Sequence, residues 1–547
     1  MTVEQAHPGS SAAVVPPEVD AVVIGGGFGG IRTLLELKKL GLRAALLEKG
    51  SEIGGAWHWN RYPDARCDST AWVYGFRLPD ELVGDWDWDE RYPTAETNRR
   101  YLDHLVDRGG LRDQIHLDAT VTSAEWDSTR ARWTVRLDDG RVLDGKYLIT
   151  AVGQLSEPAK LPIPGLDDFG GWVLSTSSWP HEGVDFGGER VAVIGTGSSG
   201  VQVIPVIARE ADHLTVFQRT PNFVIPLQNW PLDDATRAAL RADHAKIWEL
   251  TRTQLLAHGM DLTGRTYDDV TEEERAAIFE EGWAKGSFHF IFETFDDILF
   301  DLRSNEAAAE FIRRKIAETV HDPAVAQRLS PKGYPLIAKR PVMGTQYYET
   351  YNRDNVDLVD VAADPITAFT PTGLTTATAA YEFDTLVLAT GFDVVTGAYD
   401  QIAITGEHGR TLKDAWADGP QTVFGMSTPG FPNLLMITGP LSPIGNAPPM
   451  IEEHVEYIGQ VISAVESRGL SRVEADTDTA RAWTEACYAI VDASPILRDG
   501  PSIGSWYFGT KVPGKQQKPL YFFGGMHEFH QSLRKSAANG FDGLTFA

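Results

Sequence analysis

The chain is poor in cysteine. Its 547 residues hold two thiols, Cys67 and Cys487, and these form no CxxC pair. Dithiol–disulfide exchange needs two neighbouring thiols and a zinc ribbon needs several, so neither chemistry is expected and no metal site is assigned. A reducing cytoplasm is the expected compartment. Positive charge is scarce as well: Lys+Arg number 49 against 76 Asp+Glu, a net charge of −27. Phosphate backbones and anionic membrane surfaces both require a basic face, so neither nucleic acid nor membrane is expected as a partner. No apolar run approaches the roughly 20 residues that span a bilayer. The first residues carry Pro16-Pro17 but no basic start and no apolar core. They read as a disordered tail, 1–17, rather than a signal peptide.

What remains is an ordinary globular composition, 42% hydrophobic and 23% charged. The chain is too long for one hydrophobic core, and two or three domains are expected. The first structured segment is an apolar strand, Asp20 to Ile24. It runs into Gly25-Gly-Gly27-Phe28-Gly-Gly30, then a helical pattern from Ile31 to Leu40, then a second strand ending at Glu48. This is the strand–turn–helix–strand context in which a GxGxxG turn cradles a pyrophosphate. Gly25 makes the tight turn, Gly27 admits the ligand to the backbone, and Gly30 lets helix and strand pack closely. Glu48 then stands where a carboxylate accepts from ribose hydroxyls.

The pattern recurs. A strand from Arg190 to Ile194 leads into Gly195-Thr196-Gly197-Ser198-Ser199-Gly200, followed by a helix over Val201–Ala208 and a strand over Leu214–Phe217. In place of the acid stand Gln218, Arg219 and Thr220. A carboxylate there repels a 2′-phosphate, whereas an arginine pairs with it. The first turn therefore reads as a site for a dinucleotide with free ribose hydroxyls and the second as a site for NADP. FAD on the first and NADPH on the second is the common arrangement, in which the protein orients and shields two electron carriers.

Between and after these turns the chain changes character. An alternating segment, Val121 to Leu143, reads as a hairpin turning at Asp138-Asp-Gly140, and Tyr147 to Ala151 as a separate buried strand. From Pro231 to Gln327 helical periodicity dominates, with Thr271-Glu-Glu-Glu274 as a capping box. Phe383 to Gly391 echoes Tyr147 to Gly153, each carrying chain between domains. The expectation is an α/β fold of two Rossmann-like dinucleotide-binding domains. The FAD domain is discontinuous (18–153 and 391–547); the NADPH domain (154–390) contains the helical insertion, about 231–327.

The segment Gly54-Gly55-Ala-Trp57-His-Trp-Asn-Arg-Tyr62-Pro63-Asp64-Ala-Arg-Cys-Asp68 resembles the longer fingerprint of the type I Baeyer–Villiger monooxygenases, a group of class B flavin monooxygenases. The likeness runs from about Asp20 to Phe546. Asp64 stands where the family usually has Gly or Met. The shorter fingerprint, Phe-x-Gly-x3-His-x3-Trp-Pro, reads Phe169-Gly-Gly171 to Ser175 to Trp179-Pro180, with Ser175 replacing the histidine; altered domain coupling is expected there. Ala338-Lys339-Arg340-Pro341 and Ser505-Trp506-Tyr507 also match in style.

The resemblance implies FAD and NADPH as cofactors and O2 as co-substrate. It further implies insertion of one oxygen beside a ketone carbonyl, through a flavin C4a-peroxide, to give an ester or lactone. Arg340 is then the catalytic cation and Asp68 its orienting partner. Lys339 and Arg219 grip the 2′-phosphate. Gly55, Trp57, Tyr74 and Val121 complete the flavin side, and Trp506 closes on the nicotinamide. Leu441, Ser442, Pro443 and Ile444 open a short substrate loop, which points to a cyclic or bulky small-molecule ketone. A monomer or weak homo-oligomer is expected. Three alternatives remain open at this point: a sulfur- or nitrogen-oxygenating relative, an uncoupled NADPH oxidase, and a non-catalytic redox-responsive flavoprotein.

Overall fold

The computed structural model describes residues 15–260, 262–510, 512 and 514–547. Most of the expected tail, residues 1–14, lies outside the described residues. Its last residues are part of the fold: Val15 packs on a core cluster and the Pro17 carbonyl accepts from the Asp144 amide at 2.9 Å.

Two sheets organise the chain. In the first, β1 (Glu18–Ile24), β2 (Ala44–Leu47) and β3 (Ile115–His116) run parallel. Beyond β1 lies β6 (Val142–Thr150), also parallel to it. Next come β5 (Arg132–Leu137) and β4 (Val121–Asp127), paired antiparallel. The sheet recruits late chain as well: Ala403–Thr405 pairs with β4, and Leu434–Met436 with the end of β6. The expected hairpin and the expected separate strand are thus one three-stranded meander. Its third strand continues without a break from the turn at Asp138–Gly140 into the buried core. Alternation along Val142–Lys146 gives way to a fully buried run, Tyr147–Thr150, because the first half of β6 faces the meander and the second half sits between two parallel strands.

The second sheet is all parallel, in the order Val356–Asp360, His213–Gln218, Arg190–Ile194, Thr385–Leu388, Trp172–Ser175. Such a sheet is covered on both faces and so reads as unbroken apolar runs. The chain passes between the sheets twice, and the two passages pair with each other, Glu157–Pro158 against Phe392–Asp393.

The helical stretch begins at Asp234 and ends at Leu329. Thr271 and Glu274 form the expected capping box. Phe279, Phe311 and Ile312 share one core cluster with Val191, Ile204 and Val216 of the second sheet's unit. The helix Asp234–Thr253 behaves differently. It reaches toward the first unit, where Arg252 pairs with Glu453 at 2.7 Å and Glu456 at 2.9 Å.

The first unit is locked to its C-terminal portion by a buried ion pair. Arg32, on the helix after β1, bonds Glu452 at 3.0 Å and Glu36 at 3.1 Å. Burial pushes the Glu452 carboxyl up to about 7, although Arg32 pulls the other way. Removing one partner of such a pair leaves an uncompensated charge in the core, a loss of about 3–5 kcal/mol. Arg32→Ala is therefore expected to lower the urea unfolding free energy by about 3 kcal/mol; a change below about 1 kcal/mol would show that the pair does not hold the two segments together.

Candidate active site

The two glycine turns are built alike to the level of single contacts. Gly25 and Gly195 both have positive φ, +108° and +112°. A Cβ on Gly25 would lie 2.4 Å from the Ala151 carbonyl oxygen, and on Gly195 2.3 Å from that of Ala389. A Cβ on Gly30 would meet the Gly25 carbonyl at 1.9 Å, and on Gly200 the Gly195 carbonyl at 2.1 Å. These four glycines are required by the fold itself.

Gly197 is different. It has an ordinary φ of −82°, and a Cβ there would meet nothing within 4 Å. Its counterpart Gly27, φ −88°, faces only Gly55, whose Cα would lie 3.2 Å from such a Cβ. Phe28 and Ser198 begin the helices that follow, Phe28–Lys39 and Ser198–Glu210, and neither helix has a capping side chain or an acid in its first turn. Five other long helices are capped by Thr94, Asp233, Thr271, Asp301 or Asp476, whereas Ala447–Ser467, which starts with prolines, and Gly525–Ala538 are not. Two long helices that present free N–H groups and positive dipole ends to open space fit a pyrophosphate at each turn. Gly197→Ala is therefore expected to fold and keep the first ligand, while the KM for the second rises at least about tenfold. An unchanged KM would remove the second turn from the binding site.

The remaining expected residues fall into place unevenly. Glu48 is buried at the end of β2. Its oxygens accept from the Gly26 amide at 2.6 Å and the Gly50 amide at 2.8 Å, so it braces the turn. Burial raises its pKa, and the two amides oppose that. Val121 opens β4; nearby, the Ala119 amide donates to the Glu48 carbonyl. Phe28 packs edge-on against Tyr74 at 5.2 Å, and Trp57 Nε1 donates to the Tyr74 hydroxyl at 3.2 Å. Gly55 sits beside them with φ +56°.

At the second turn, the Thr196 hydroxyl donates to the Thr220 carbonyl at 3.4 Å. Ser199 and the exposed Ser198 follow. Arg219 is exposed. Lys339 lies over the Tyr334 ring at 4.9 Å, and the Tyr334 hydroxyl donates to the Pro221 carbonyl at 2.6 Å, which brings Lys339 to the Arg219 loop. Gln218 turns inward: it is buried, and its Nε2 donates to the Arg328 carbonyl at 2.8 Å.

The fingerprint segment bridges the two units. Its Tyr62 hydroxyl donates to Gln202 on the second unit's helix at 2.8 Å, and Gln202 Nε2 donates back to the Arg66 carbonyl at 3.0 Å. Asp64 adopts φ +65° and accepts from Arg66 at 2.6 Å; this left-handed position suits Gly or a short acid. Ser175 ends its strand with its hydroxyl 2.8 Å from that of Ser177.

Asp68 ends the segment and meets Arg340 from the other unit. Arg340 Nη2 lies 2.9 Å from each Asp68 oxygen, and Nε 3.3 Å from Oδ2. The guanidinium rests over the Phe288 ring at 4.9 Å. Burial works against its charge, but Asp68 more than offsets this and holds its pKa above the usual arginine value. Both side chains stay about a quarter exposed, 25% and 24%, which leaves the cation reachable.

The four loop residues divide between two environments. Leu441 is buried with φ +67°, and Ser442–Pro443 pairs with Tyr521–Phe522. Only Ile444 joins the cluster that contains Phe288 and Tyr507. Trp506 packs against Tyr507 and Tyr521, at 4.6 and 5.7 Å. Reading the sequence missed Phe288, Ser287, whose hydroxyl donates to the Asp68 carbonyl at 3.3 Å, and His258. Alternating aromatics at 288, 290 and 292 were the available signal.

Two glycine turns of the same design, each leading into an uncapped helix, and an arginine–carboxylate pair between the two units fit an oxidoreductase of the two-dinucleotide type. The model of the pyridine nucleotide-disulphide oxidoreductases matches residues 22–230. A Baeyer-Villiger monooxygenase from Pseudooceanicola batsensis is 40% identical over 97% of this chain and 96% of its own. A phenazine N-monooxygenase from Lysobacter antibioticus is 40% identical over 96% of each. The closed crystal structure of a cyclohexanone monooxygenase superposes with a TM-score of 0.94 at 40% identity, covering 97% of this chain and all of that one. The chain belongs to the Baeyer–Villiger monooxygenase family of flavin-dependent monooxygenases. Among the described residues no helix is long and apolar enough to cross a membrane.

Proposed function

We propose that the chain inserts one atom of O2 beside the carbonyl of a small, cyclic or bulky ketone, giving an ester or lactone, with FAD at the Gly25–Gly30 turn and NADPH at the Gly195–Gly200 turn. The observation that carries this reading is the bidentate Arg340–Asp68 pair, which joins the fingerprint segment to the second unit. In this reading residues 18–153 with 391–547 hold FAD, 154–390 hold NADPH, and the helices near 231–327 wall the substrate side. Two buried free cysteines accord with a cytoplasmic enzyme, acting as a monomer or weak homo-oligomer.

Bound NADPH and FAD supply the hydride and the means to activate dioxygen. The chain's own groups do the rest. Arg340 keeps its protons at any working pH, so it stabilises negative charge at the reacting oxygen without protonating it. Asp68 holds the guanidinium plane by a charge-assisted pair of hydrogen bonds. Because the guanidinium rests on Phe288 in an apolar wall, its buried side is shielded from water, and a preorganised charge there is worth more than in solution. Lys339 and Arg219 meet the 2′-phosphate, and Trp506 covers the nicotinamide side.

Arg340→Ala is expected to bind FAD normally and to lose ester formation by about 10²–10³-fold or more; unchanged product yield would overturn the assignment. Lys339→Ala combined with Arg219→Ala is expected to erase the preference for NADPH over NADH in steady-state kinetics. If that ratio is unmoved, the phosphate is held elsewhere.

A second reading, nitrogen oxygenation, is favoured by the identity to the phenazine N-monooxygenase. Incubation with NADPH, O2, a cyclic ketone and an aromatic N-heterocycle separates the two by product.

A further inference from the structure

His258 lies in the wall of the Arg340 site, yet neither the turns nor the fingerprint accounts for it. It is 2% exposed and packs against the Phe288 ring at 4.1 Å between centroids, tilted by 32°; the same ring carries the Arg340 guanidinium at 4.9 Å. Phe292 flanks it at 5.6 Å. Two residues earlier, Leu256 holds the end of the substrate loop through its carbonyl, which accepts from the Asn446 amide at 2.9 Å. His258 is therefore enclosed by the elements that also present Arg340, Phe288 and Ile444.

Its Nε2 is buried without a hydrogen-bond partner. A polar atom in that condition is a standing cost, and native structures retain few of them without a reason. The side chains packed against the ring are the aromatic Phe288 and Phe292, and a small cavity of about 60 Å³ that shares Leu256, Met260 and Phe292 with this wall is mostly apolar, with Gln254 and Asp296 as its polar members. An aromatic carbon ring in place of the imidazole would match that wall and leave nothing unpaired. Burial, and next the charge of Arg340, push the His258 pKa down to about 3. The ring is neutral at working pH, so it offers one N–H donor and one acceptor rather than a charge.

We propose that His258 is a specificity-determining residue that hydrogen-bonds a second, neutral oxygen of the substrate, selecting a ketone that carries a hydroxyl or a further carbonyl over a plain hydrocarbon ketone. The proposal rests on the ketone-oxygenating reading of the site. A carboxylate is the wrong partner, because the imidazole is uncharged and Arg340 is already engaged by Asp68. The hydrocarbon part of the ligand meets Phe288, Phe292 and Ile444, while its distal oxygen meets Nε2.

The test compares cyclohexanone with 4-hydroxycyclohexanone on the full-length holoenzyme, His258→Phe and His258→Gln. Steady-state kcat/KM is measured for each, together with dissociation constants from ligand-observed NMR on the oxidised holoenzyme. The wild type is expected to favour the hydroxyketone by about tenfold, the worth of one buried hydrogen bond. His258→Phe should abolish that preference while leaving cyclohexanone binding unchanged or tighter, and His258→Gln should restore part of it. A ratio of dissociation constants that stays within about twofold of the wild-type ratio in His258→Phe overturns the proposal. Flavin absorbance and the rate of flavin reduction by NADPH report whether the variant is intact. If neither ketone is oxygenated but the binding ratio still collapses in His258→Phe, the selectivity assignment stands and the reaction assignment falls. If both are oxygenated with an unchanged ratio, the reverse holds.

Discussion

A guanidinium set in an apolar wall stays fixed only if a carboxylate meets it with matching geometry. Asp68 does so for Arg340, from a segment of the other unit, and both Asp68 oxygens engage Nη2 at 2.9 Å. The pairing has two consequences. It fixes the plane of the cation over Phe288, and it ties the fingerprint segment to the second unit. Tyr62–Gln202 and Gln202–Arg66 continue that tie. Asp68 and Arg340 each keep about a quarter of their side-chain surface open, so the pair is anchored on one side and available on the other. A buried pair with no open face would be structural only.

The two turns supply the frame around this pair. Their glycines divide into those whose Cβ would strike the protein's own backbone and those whose Cβ would not. Gly25, Gly30, Gly195 and Gly200 would each clash with backbone if they carried a Cβ, whereas Gly197 would not. The same geometry arising twice, against Ala151 and against Ala389, follows from one strand–turn–helix solution used in both sheets. A helix N-terminus left without a cap and open at its mouth fits an anion that completes it.

Much of this was legible in the sequence because it is local. Both turns, the capping box at Thr271 and the pairing of Asp68 with Arg340 could be read from spacing or from family resemblance. Contacts made through space could not. Glu48 reads as a ribose acceptor, and the amides of Gly26 and Gly50 that it also serves emerge only when the turn is folded. Gln218 sits beside Arg219 in sequence but points into the core toward Arg328. Leu441 to Pro443 read as substrate loop, and the short parallel ladder of Ser442–Pro443 with Tyr521–Phe522, entered through a left-handed residue at 441, could not be read from the sequence. The Val142 to Ala151 region changes period midway because its two halves meet different neighbours. His258 carries no motif at all; its position beside Arg340 depends on how segments 254–260 and 286–292 pack.

The family's chemistry has this arrangement deliver one oxygen atom from O2 to a ketone. Incubating the holoenzyme with NADPH and a cyclic ketone under ¹⁸O2, then weighing the product, tests it most directly. The account predicts a lactone that carries one ¹⁸O, formed in proportion to NADPH consumed. Unaltered ketone with hydrogen peroxide as the only labelled product would contradict it.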